Sequence, residues 1–384
     1  MSTDPTEKQE PLRSSHTPNF GPLLEEMNAS VLVSTYQAGK LVVLRGDEGV
    51  LNTHFRGFNV PMGVACDGER LAIGVRNEIW EYHNVPAVAR KLEPAGKHDA
   101  CFLPRASHVT GNVQVHEMAW AALPGRGETG RTVAEPELVF VNTRFSCLAT
   151  RAVNQSFVPR WRPPFISALD PEDRCHLNGL GVRDGKVRYV TALGRTDSSA
   201  GWRADKRAGG VLMEVPSGDV IAQGLSMPHS PRWYDGRLWV LDSGNGRLAM
   251  VDERTGRLET VAEMPGFTRG LDFHGRFAFI GLSQVRESAV FSGIAIAERK
   301  DRACGVWVVD IDSGRTVALV QFEDAVQEIF AVQVVAGRRF PDIVNDNPAL
   351  LADSFVLPEE ALTEVSKPLR EFPFPRPSAT PLAG

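Results

Sequence analysis

The chain has 384 residues, with 42 Lys and Arg against 47 Asp and Glu, which gives a formal net charge of -5. Its 42% of hydrophobic and 23% of charged residues are typical of a globular protein and exclude a largely disordered one. The near balance of charge argues against a nucleic-acid partner. No run of about 18 apolar residues is present, so no membrane span is expected.

The five cysteines are scattered, odd in number and without CxxC spacing. This pattern is typical of reduced thiols rather than of a disulfide framework or a zinc ribbon. The first residues also lack the basic-then-apolar order of a secretory signal. We therefore expect a cytoplasmic protein.

Short β-strands are predicted along the whole chain, while helices are expected only over Phe20–Met27 and within Pro348–Val365. The strand segments are rich in Val, Leu, Ile and aromatic residues and are bounded by Asp-Gly or similar turn pairs. In chain order they are Ser30–Tyr36, Lys40–Leu44, Arg70–Val75, Glu137–Asn142, Lys186–Ala192, Arg237–Asp242, Arg276–Leu282 and Gly305–Asp310.

An internal repeat explains these strands. Val31–Val64 aligns with Leu238–Leu271 without a gap, and each copy reads strand, Gly turn, strand, Gly turn, strand and a connection into the next strand. A repeated four-stranded meander is the unit of a β-propeller blade. Six units can be counted, with inner strands beginning near Met62, Met118, Asn178, Pro231, Arg269 and Ile329.

The predicted fold is therefore all-β: a six-bladed β-propeller closed by pairing the N-terminal strands with the C-terminal inner strand. Such closure removes exposed sheet edges. The rival architecture is two β-sandwiches, which the gapless repeat disfavours. We expect a flexible tail over residues 1–22, a single propeller over 23–357 and a Pro-rich tail over 358–384.

Three histidines precede inner strands at similar spacing, four residues before an apolar Trp or Leu. They are His116, His176 and His229, and Glu328 has this place in the last unit. Because the loops into the inner strands surround the mouth of the channel, these side chains are expected to converge. Imidazole and carboxylate ligands suit Fe, Cu, Zn or Mn.

The register of the third histidine is open. Counting back from Gly185 and Gly236 pairs Asn178, rather than His176, with His229. A site with Asn and Glu ligands would favour Ca²⁺. The three histidines can also be hydrogen-bonding residues around a polar ligand, without a metal.

Further polar residues are expected at the same mouth. Arg144, Arg232 and Arg269 can form a cationic rim that suits a carboxylate or phosphate. Asp242 is a catalytic candidate as well, although an Asp followed by Ser-Gly is also typical of a turn. Two long insertions, residues 194–210 and 283–304, are predicted to form lids anchored by Trp202 and Phe291.

Several strings resemble a bacterial family of conserved hypothetical proteins of unknown function, some of them attached to tetratricopeptide repeats. The strings are LVSTYQAGKL (32–41), MPHSPRW (227–233), GRLWVLDSG (236–244), PGFTRGL (265–271) and CGVWVVD (304–310). The resemblance covers about residues 25–345; it implies a propeller-like fold and no established reaction. A looser similarity to gluconolactonase-like propellers implies a divalent metal in the channel mouth, but the histidines depart from their pattern and put a Ca²⁺ lactonase in doubt.

Two functions are predicted. The first is a metal-dependent enzyme (a non-haem iron or copper oxidoreductase, a lyase or a hydrolase) with His116, His176, His229 and Glu328 as ligands and a small-molecule or peptide substrate. The second is a metal-free propeller that binds a small ligand or a peptide and serves as an interaction module.

Overall fold

The protein is described by a computed structural model over residues 12–123, 136–285 and 292–366. Six small sheets form a ring of six blades, which confirms the predicted propeller. From inner to outer strand, blade 1 is β25 (Ala331–Ala336), β2 (Ala29–Ser34), β3 (Lys40–Asp47) and β4 (Val50–Gly57), and blade 2 is β5 (Val64–Cys66), β6 (Arg70–Gly74), β7 (Glu78–Asn84) and β8 (Ala100–Val109).

The other blades follow along the chain in the same order. Blade 3 is β9 (Val115–Ala121), β10 (Glu137–Asn142), β11 (Cys147–Ala152) and β12 (Gln155–Trp161), and blade 4 is β13 (Leu177–Arg183), β14 (Lys186–Ala192), β15 (Gly210–Glu214) and β16 (Val220–Leu225). Blade 5 is β17 (Pro228–Tyr234), β18 (Arg237–Asp242), β19 (Arg247–Val251) and β20 (Leu258–Glu263), and blade 6 is β21 (Phe267–His274), β22 (Phe277–Ser283), β23 (Gly305–Asp310) and β24 (Arg315–Phe322).

Ring closure takes place in blade 1, as the sequence predicted. The C-terminal β25 pairs antiparallel with the N-terminal β2 over six residue pairs, from Ala29 with Ala336 to Ser34 with Ala331. The inner edge of an N-terminal three-stranded sheet is thereby covered, and the two ends of the ring are joined.

The repeat is reproduced in backbone geometry. Gly39 and Gly246, which align in the repeat, both end a single turn of 3-10 helix and have φ of 63° and 66°. A left-handed conformation of this kind is accessible to Gly at little cost, so the glycines fix the turns between the second and third strands. The main core lies between blades, where apolar side chains of neighbouring sheets pack together; Val33 and Val42 of blade 1, for example, lie in one cluster with Phe279 and Val306 of blade 6.

Two blades carry a fifth strand. β1 (Ser14–His16) pairs with β24 on the outer edge of blade 6, and β26 (Pro341–Ile343) pairs parallel with β8 on the outer edge of blade 2. The expected N-terminal tail over residues 1–22 is therefore too long, because residues 14–16 complete a sheet. The helices are α1 (Phe20–Glu26), which packs on β3 and β4, α2 (Pro86–Ala89), α3 (Pro348–Ala352) and α4 (Glu359–Leu362). α4 lies within the segment expected to be a C-terminal tail.

Strand β26 brings one carboxylate into a set of basic side chains, which we call the Asp342 cluster (Asp342, Arg56, His54, His98 and Arg45). Asp342 is 5% exposed, and Nη2 of Arg56 lies 2.8 Å from both of its carboxylate oxygens. Nε2 of His54 lies 3.3 Å from Oδ1, and Arg45 donates to the carbonyl of Pro341 at 2.9 Å. The cluster attaches the last strand to blades 1 and 2.

Candidate functional site

A cavity of about 280 Å³ lies at the mouth of the central channel, and we call it the mouth cavity. Every blade contributes to it, because its lining comes mainly from the loops that lead into the six inner strands. The lining residues are Tyr36, Met62, Gln114, His116, Asp173, His176, Leu193, Trp202, Arg203, Met227, His229, Phe267, Arg269, Glu328 and Phe330. The four predicted metal ligands and Arg269 therefore lie around one cavity.

His116 and His229 are held in the same way. Nδ1 of His116 lies 3.0 Å from the carbonyl oxygen of Gln114, and Nδ1 of His229 lies 2.9 Å from that of Met227. In each case the carbonyl belongs to the residue two positions earlier, which has a left-handed backbone (φ 56° and 47°). A carbonyl only accepts hydrogen bonds, so Nδ1 carries the proton and Nε2 of the neutral ring is an acceptor.

A hydroxyl supports each of these rings from the end of the second strand. Oγ1 of Thr143 lies 2.7 Å from Nδ1 of His116 and donates its own proton to the carbonyl of Leu177 at 2.6 Å. Oγ of Ser243 lies 3.0 Å from Nδ1 of His229. Both hydroxyls are therefore placed to accept from Nδ1, which fixes the orientation of the ring.

His176 reaches the cavity from another backbone position. Its Nδ1 lies 2.8 and 2.9 Å from the two carboxylate oxygens of Asp173, and Nε1 of Trp202 donates to the same carboxylate at 3.0 Å. The ring of His176 also packs against Trp202, with centroids 4.7 Å apart, and lies edge-on to His116 at 4.8 Å. Again Nδ1 donates and Nε2 is left as an acceptor.

The repeat register now favours Asn178 as the equivalent of His116 and His229. In blade 4 the left-handed residue is His176 itself (φ 50°), so the residue two positions later is Asn178. Asn178 does not line the cavity: it is 1% exposed, donates to the carbonyl of Pro228 at 3.0 Å and accepts from Thr191 at 2.7 Å. The expectation that three histidines share one repeat position is wrong for His176, although all three line the same cavity.

The imidazoles of His116 and His229 are held as neutral rings. Burial, and after it the charge of Arg269, holds the pKa of His116 and of His229 well below the usual range. Across residues 12–123, 136–285 and 292–366, no group forms a hydrogen bond with Nε2 of His116, His176 or His229. Three Nε2 atoms around the cavity thus have no partner in these parts of the chain.

The described part of the chain contains no preformed metal site. Among the described residues, no three His, Cys, Asp or Glu side chains are grouped closely enough to hold a metal ion. The chemistry of the imidazoles still fits a metal, since a metal-binding His commonly donates its other ring nitrogen to a carboxylate or carbonyl, as all three do here. Binding a metal to all of them would require the rings to move together.

Arg269 and Glu328 are two further charged residues of this lining. The guanidinium carbon of Arg269 lies 3.5 Å from the centre of the Phe330 ring. Burial lowers the pKa of Arg269 to about 10, against the opposing effect of Glu328, so the group stays charged at neutral pH. Among the described residues, neither the side chain of Arg269 nor that of Glu328 forms a hydrogen bond or an ion pair within 4.0 Å.

The other three predicted catalytic residues lie outside the mouth cavity. Arg232 pairs with Glu117, with Nη1 to Oε2 at 3.1 Å and Nη2 to Oε1 at 3.2 Å, and also donates to the carbonyls of Leu271 and Leu180. Arg144 is exposed, and within the described ranges its side chain donates only to the carbonyl of Pro171, at 3.3 Å. The predicted cationic rim is therefore reduced to Arg269, accompanied by Arg203.

Asp242 is a turn residue in this structure. Its carboxylate accepts from the backbone nitrogen of Ser226 at 2.7 Å and from the side chain of Asn245 at 2.6 Å. Both oxygens are used within the loops of blade 5, which is the structural alternative that the Asp-Ser-Gly pattern had suggested.

Asp173 is a site residue that the sequence did not indicate. It precedes His176 by three residues, in a loop whose shape could not be inferred from strand periodicity. The prediction for Trp202 holds, since it lines the cavity from the insertion at 194–210. The second insertion contacts the first, with Nη2 of Arg207 2.8 Å from Oε1 of Glu298, whereas Phe291 lies outside the described residues.

Comparison with known proteins identifies a family. Residues 18–344 match the family described as "Domain of unknown function (DUF4915)". The chain belongs to this family. No curated protein matches it at a significant level.

Two solved structures are similar in shape. One is from a crystal structure of a nidogen/laminin complex, with 10% identity, a TM-score of 0.49, and 80% of this chain and 99% of that chain covered. The other is a protein of unknown function from Bacteroides caccae, with 11% identity, a TM-score of 0.48, and 80% and 98% covered. No described helix has the length and apolar character needed to cross a membrane.

Proposed function

We propose that this protein binds a small polar molecule in the mouth cavity, and that Nε2 of His116, His176 and His229 accept hydrogen bonds from it. The observation that carries the proposal is a set of three imidazole Nε2 atoms that surround one cavity and have no partner among the described residues. Polar groups that converge on one cavity are typical of a ligand site, so this set is expected to be matched by hydrogen-bond donors of a ligand.

The rest of the lining supports a ligand site. Tyr36, Trp202, Phe267 and Phe330 provide aromatic walls, and convergent polar groups lie among them. This combination is typical of sites that recognise small molecules. The ligand can be a free small molecule or the polar end of a peptide, since either presents hydrogen-bond donors.

A second candidate is a metal-dependent enzyme, an oxidoreductase, lyase or hydrolase, that holds Fe, Cu, Zn or Mn with the three Nε2 atoms and Glu328. The specific observation in its favour is that each Nδ1 donates to an oxygen, which presents Nε2 to a metal and, at His176, places Asp173 behind the ligand. The metal would supply Lewis acidity or redox chemistry.

One purification separates the two candidates. The protein is prepared without added metal, and the same sample is analysed by elemental analysis and by native mass spectrometry. Binding of a polar molecule predicts a sub-stoichiometric metal content and an extra mass that is lost in the His116→Gln/His229→Gln variant. The enzyme predicts about one metal per chain, lost in the same variant. His83→Gln, at an exposed histidine, is the control. A wild-type chain free of both metal and extra mass would contradict both.

We also propose a cytoplasmic location. All five cysteines are free and four of them are buried. Unpaired thiols in this number support a reducing compartment. Recovery of the native protein from a periplasmic or secreted fraction would contradict this.

A further inference from the structure

We propose that Arg269 is the receptor for an anionic group, so that the molecule bound in the mouth cavity is an oxyanion, a carboxylate or a phosphate. This inference rests on the proposed function in one respect: it requires that the mouth cavity binds a ligand. It depends on Arg269, whereas the proposed function depends on the histidines.

Two arginines of the channel, Arg232 and Arg269, differ in their hydrogen-bond partners. Arg232 has a bidentate carboxylate partner in Glu117 and further bonds to the carbonyls of Leu271 and Leu180. Arg269 has five N–H donors and, over the described ranges, no acceptor for any of them. The side chain of Arg269 is partly exposed to the mouth cavity, so an oxyanion that enters the cavity can supply the missing acceptors through charge-assisted hydrogen bonds.

The guanidinium of Arg269 is oriented by an aromatic ring. Phe330 covers one face of the guanidinium at 3.5 Å, and Tyr36 stacks on Phe330 with ring centroids 5.5 Å apart. Stacking on an aromatic ring leaves the edge of the guanidinium, where its donors lie, free to bind two oxygens of a planar or tetrahedral anion.

Glu328 lines the same cavity but does not pair with Arg269 within 4.0 Å. Its charge attracts Arg269 and repels an incoming anion. Glu328 is therefore expected to weaken the anion site, and its neutralisation is expected to strengthen it. The neutral state of His116 and His229 leaves Arg269 as the principal positive charge close to them.

The test uses inorganic phosphate and acetate as probes, so that the two sources of oxyanion are distinguished. Binding is followed through the Arg Nε–H NMR signal that disappears in Arg269→Met, and through the unfolding temperature. Sodium chloride at equal ionic strength corrects for screening. The expected result is a saturable shift of this signal by at least one probe.

Three variants test the expected direction of the change in anion affinity. Arg269→Met should weaken the affinity at least ten-fold, Arg269→Lys should weaken it less, and Glu328→Gln should strengthen it several-fold. Arg144→Met, at an exposed arginine outside the cavity, is the matched control and should bind as the wild type does. Circular dichroism and the unfolding temperature without probe establish that each variant is folded.

Two results would overturn the inference: an equal response of wild type and Arg269→Met, or a wild type that neither probe shifts beyond the effect of sodium chloride. Either result leaves the proposed function standing if the His116→Gln/His229→Gln variant still loses a bound mass. Conversely, phosphate or acetate binding that persists in that histidine variant would support the anion site even if the proposed role of the histidines fails.

Discussion

The Asp342 cluster and the mouth cavity are built from the same residue types, Arg, His and a carboxylate. They differ in whether the arginine and the carboxylate form an ion pair. In the Asp342 cluster, Arg56 pairs with the carboxylate through two bonds of 2.8 Å, and Arg45 donates to the neighbouring backbone. In the mouth cavity, Arg269 and Glu328 stay apart. The first arrangement satisfies charge within the chain and has a structural role; the second leaves charge and lone pairs to be satisfied from outside.

The pKa directions agree with this contrast. Burial acts to raise the pKa of Asp342, but the bonds from His54 and Arg56 outweigh it and hold the carboxyl well below its usual range. For Arg269 the opposing charge of Glu328 does not outweigh burial, which lowers the pKa. The comparison therefore predicts that neutralising charge in the cluster destabilises the fold, whereas neutralising charge in the cavity does not.

The largest effect is expected for Asp342→Asn. This change keeps the shape of the side chain and removes the carboxylate that Arg56 binds at 2.8 Å, and breaking a buried pair costs about 3–5 kcal/mol. The free energy of unfolding, measured by urea denaturation at pH 7, should fall by this amount. Asp346→Asn is the control, because Asp346 is 67% exposed and its oxygen lies 3.7 Å from Arg56; it should change stability by less than about 0.5 kcal/mol. Equal effects of the two variants would contradict a structural role for Asp342.

Lowering the pH is expected to reduce the free energy of unfolding by an intermediate amount. The folded state keeps the pKa of His116 and His229 below that of the unfolded chain, so below pH 6.5 the unfolded state binds more protons and stability falls as the pH falls. Each histidine contributes at most about 1.4 kcal/mol per pH unit below that value. Urea denaturation between pH 7 and pH 5 measures the slope.

The His116→Gln/His229→Gln variant should lose most of this dependence. The part that remains is assigned to His98, whose pKa burial also lowers. If the slope of the variant equals that of the wild type, the two cavity histidines are not buried as neutral rings.

The fold could be predicted because its signals are local and repeated. Gly39 and Gly246 end equivalent turns, and the alignment around them specifies one blade after another. His116 and His229 were predictable for the same reason, since a repeat position determines where a side chain lies. His176 reaches the cavity from a different position, through a loop that carries Asp173, and no periodic pattern encodes that geometry.

The role of the arginines could not be read from the sequence, because a partner can lie far away along the chain. Arg232 and Arg269 both stand just inside an inner strand, and both were expected at the rim. The carboxylate that satisfies Arg232 comes from Glu117, 115 residues earlier. Only packing of blades 3 and 5 around one channel reveals that pairing, whereas Arg269 has no such partner among the described residues.

The smallest effect on stability is expected for Arg269→Met, and it is the most direct test of the comparison. No hydrogen bond is broken by the change, and methionine retains much of the apolar contact with Phe330. The free energy of unfolding should stay within about 0.5 kcal/mol of the wild type. Arg232→Met leaves the carboxylate of Glu117 without its ion-pair partner. This variant should in contrast lower the free energy of unfolding by about 3 kcal/mol. A loss for Arg269→Met as large as that for Arg232→Met would show that Arg269 is satisfied within the chain, and the difference between a structural cluster and a ligand site would then disappear.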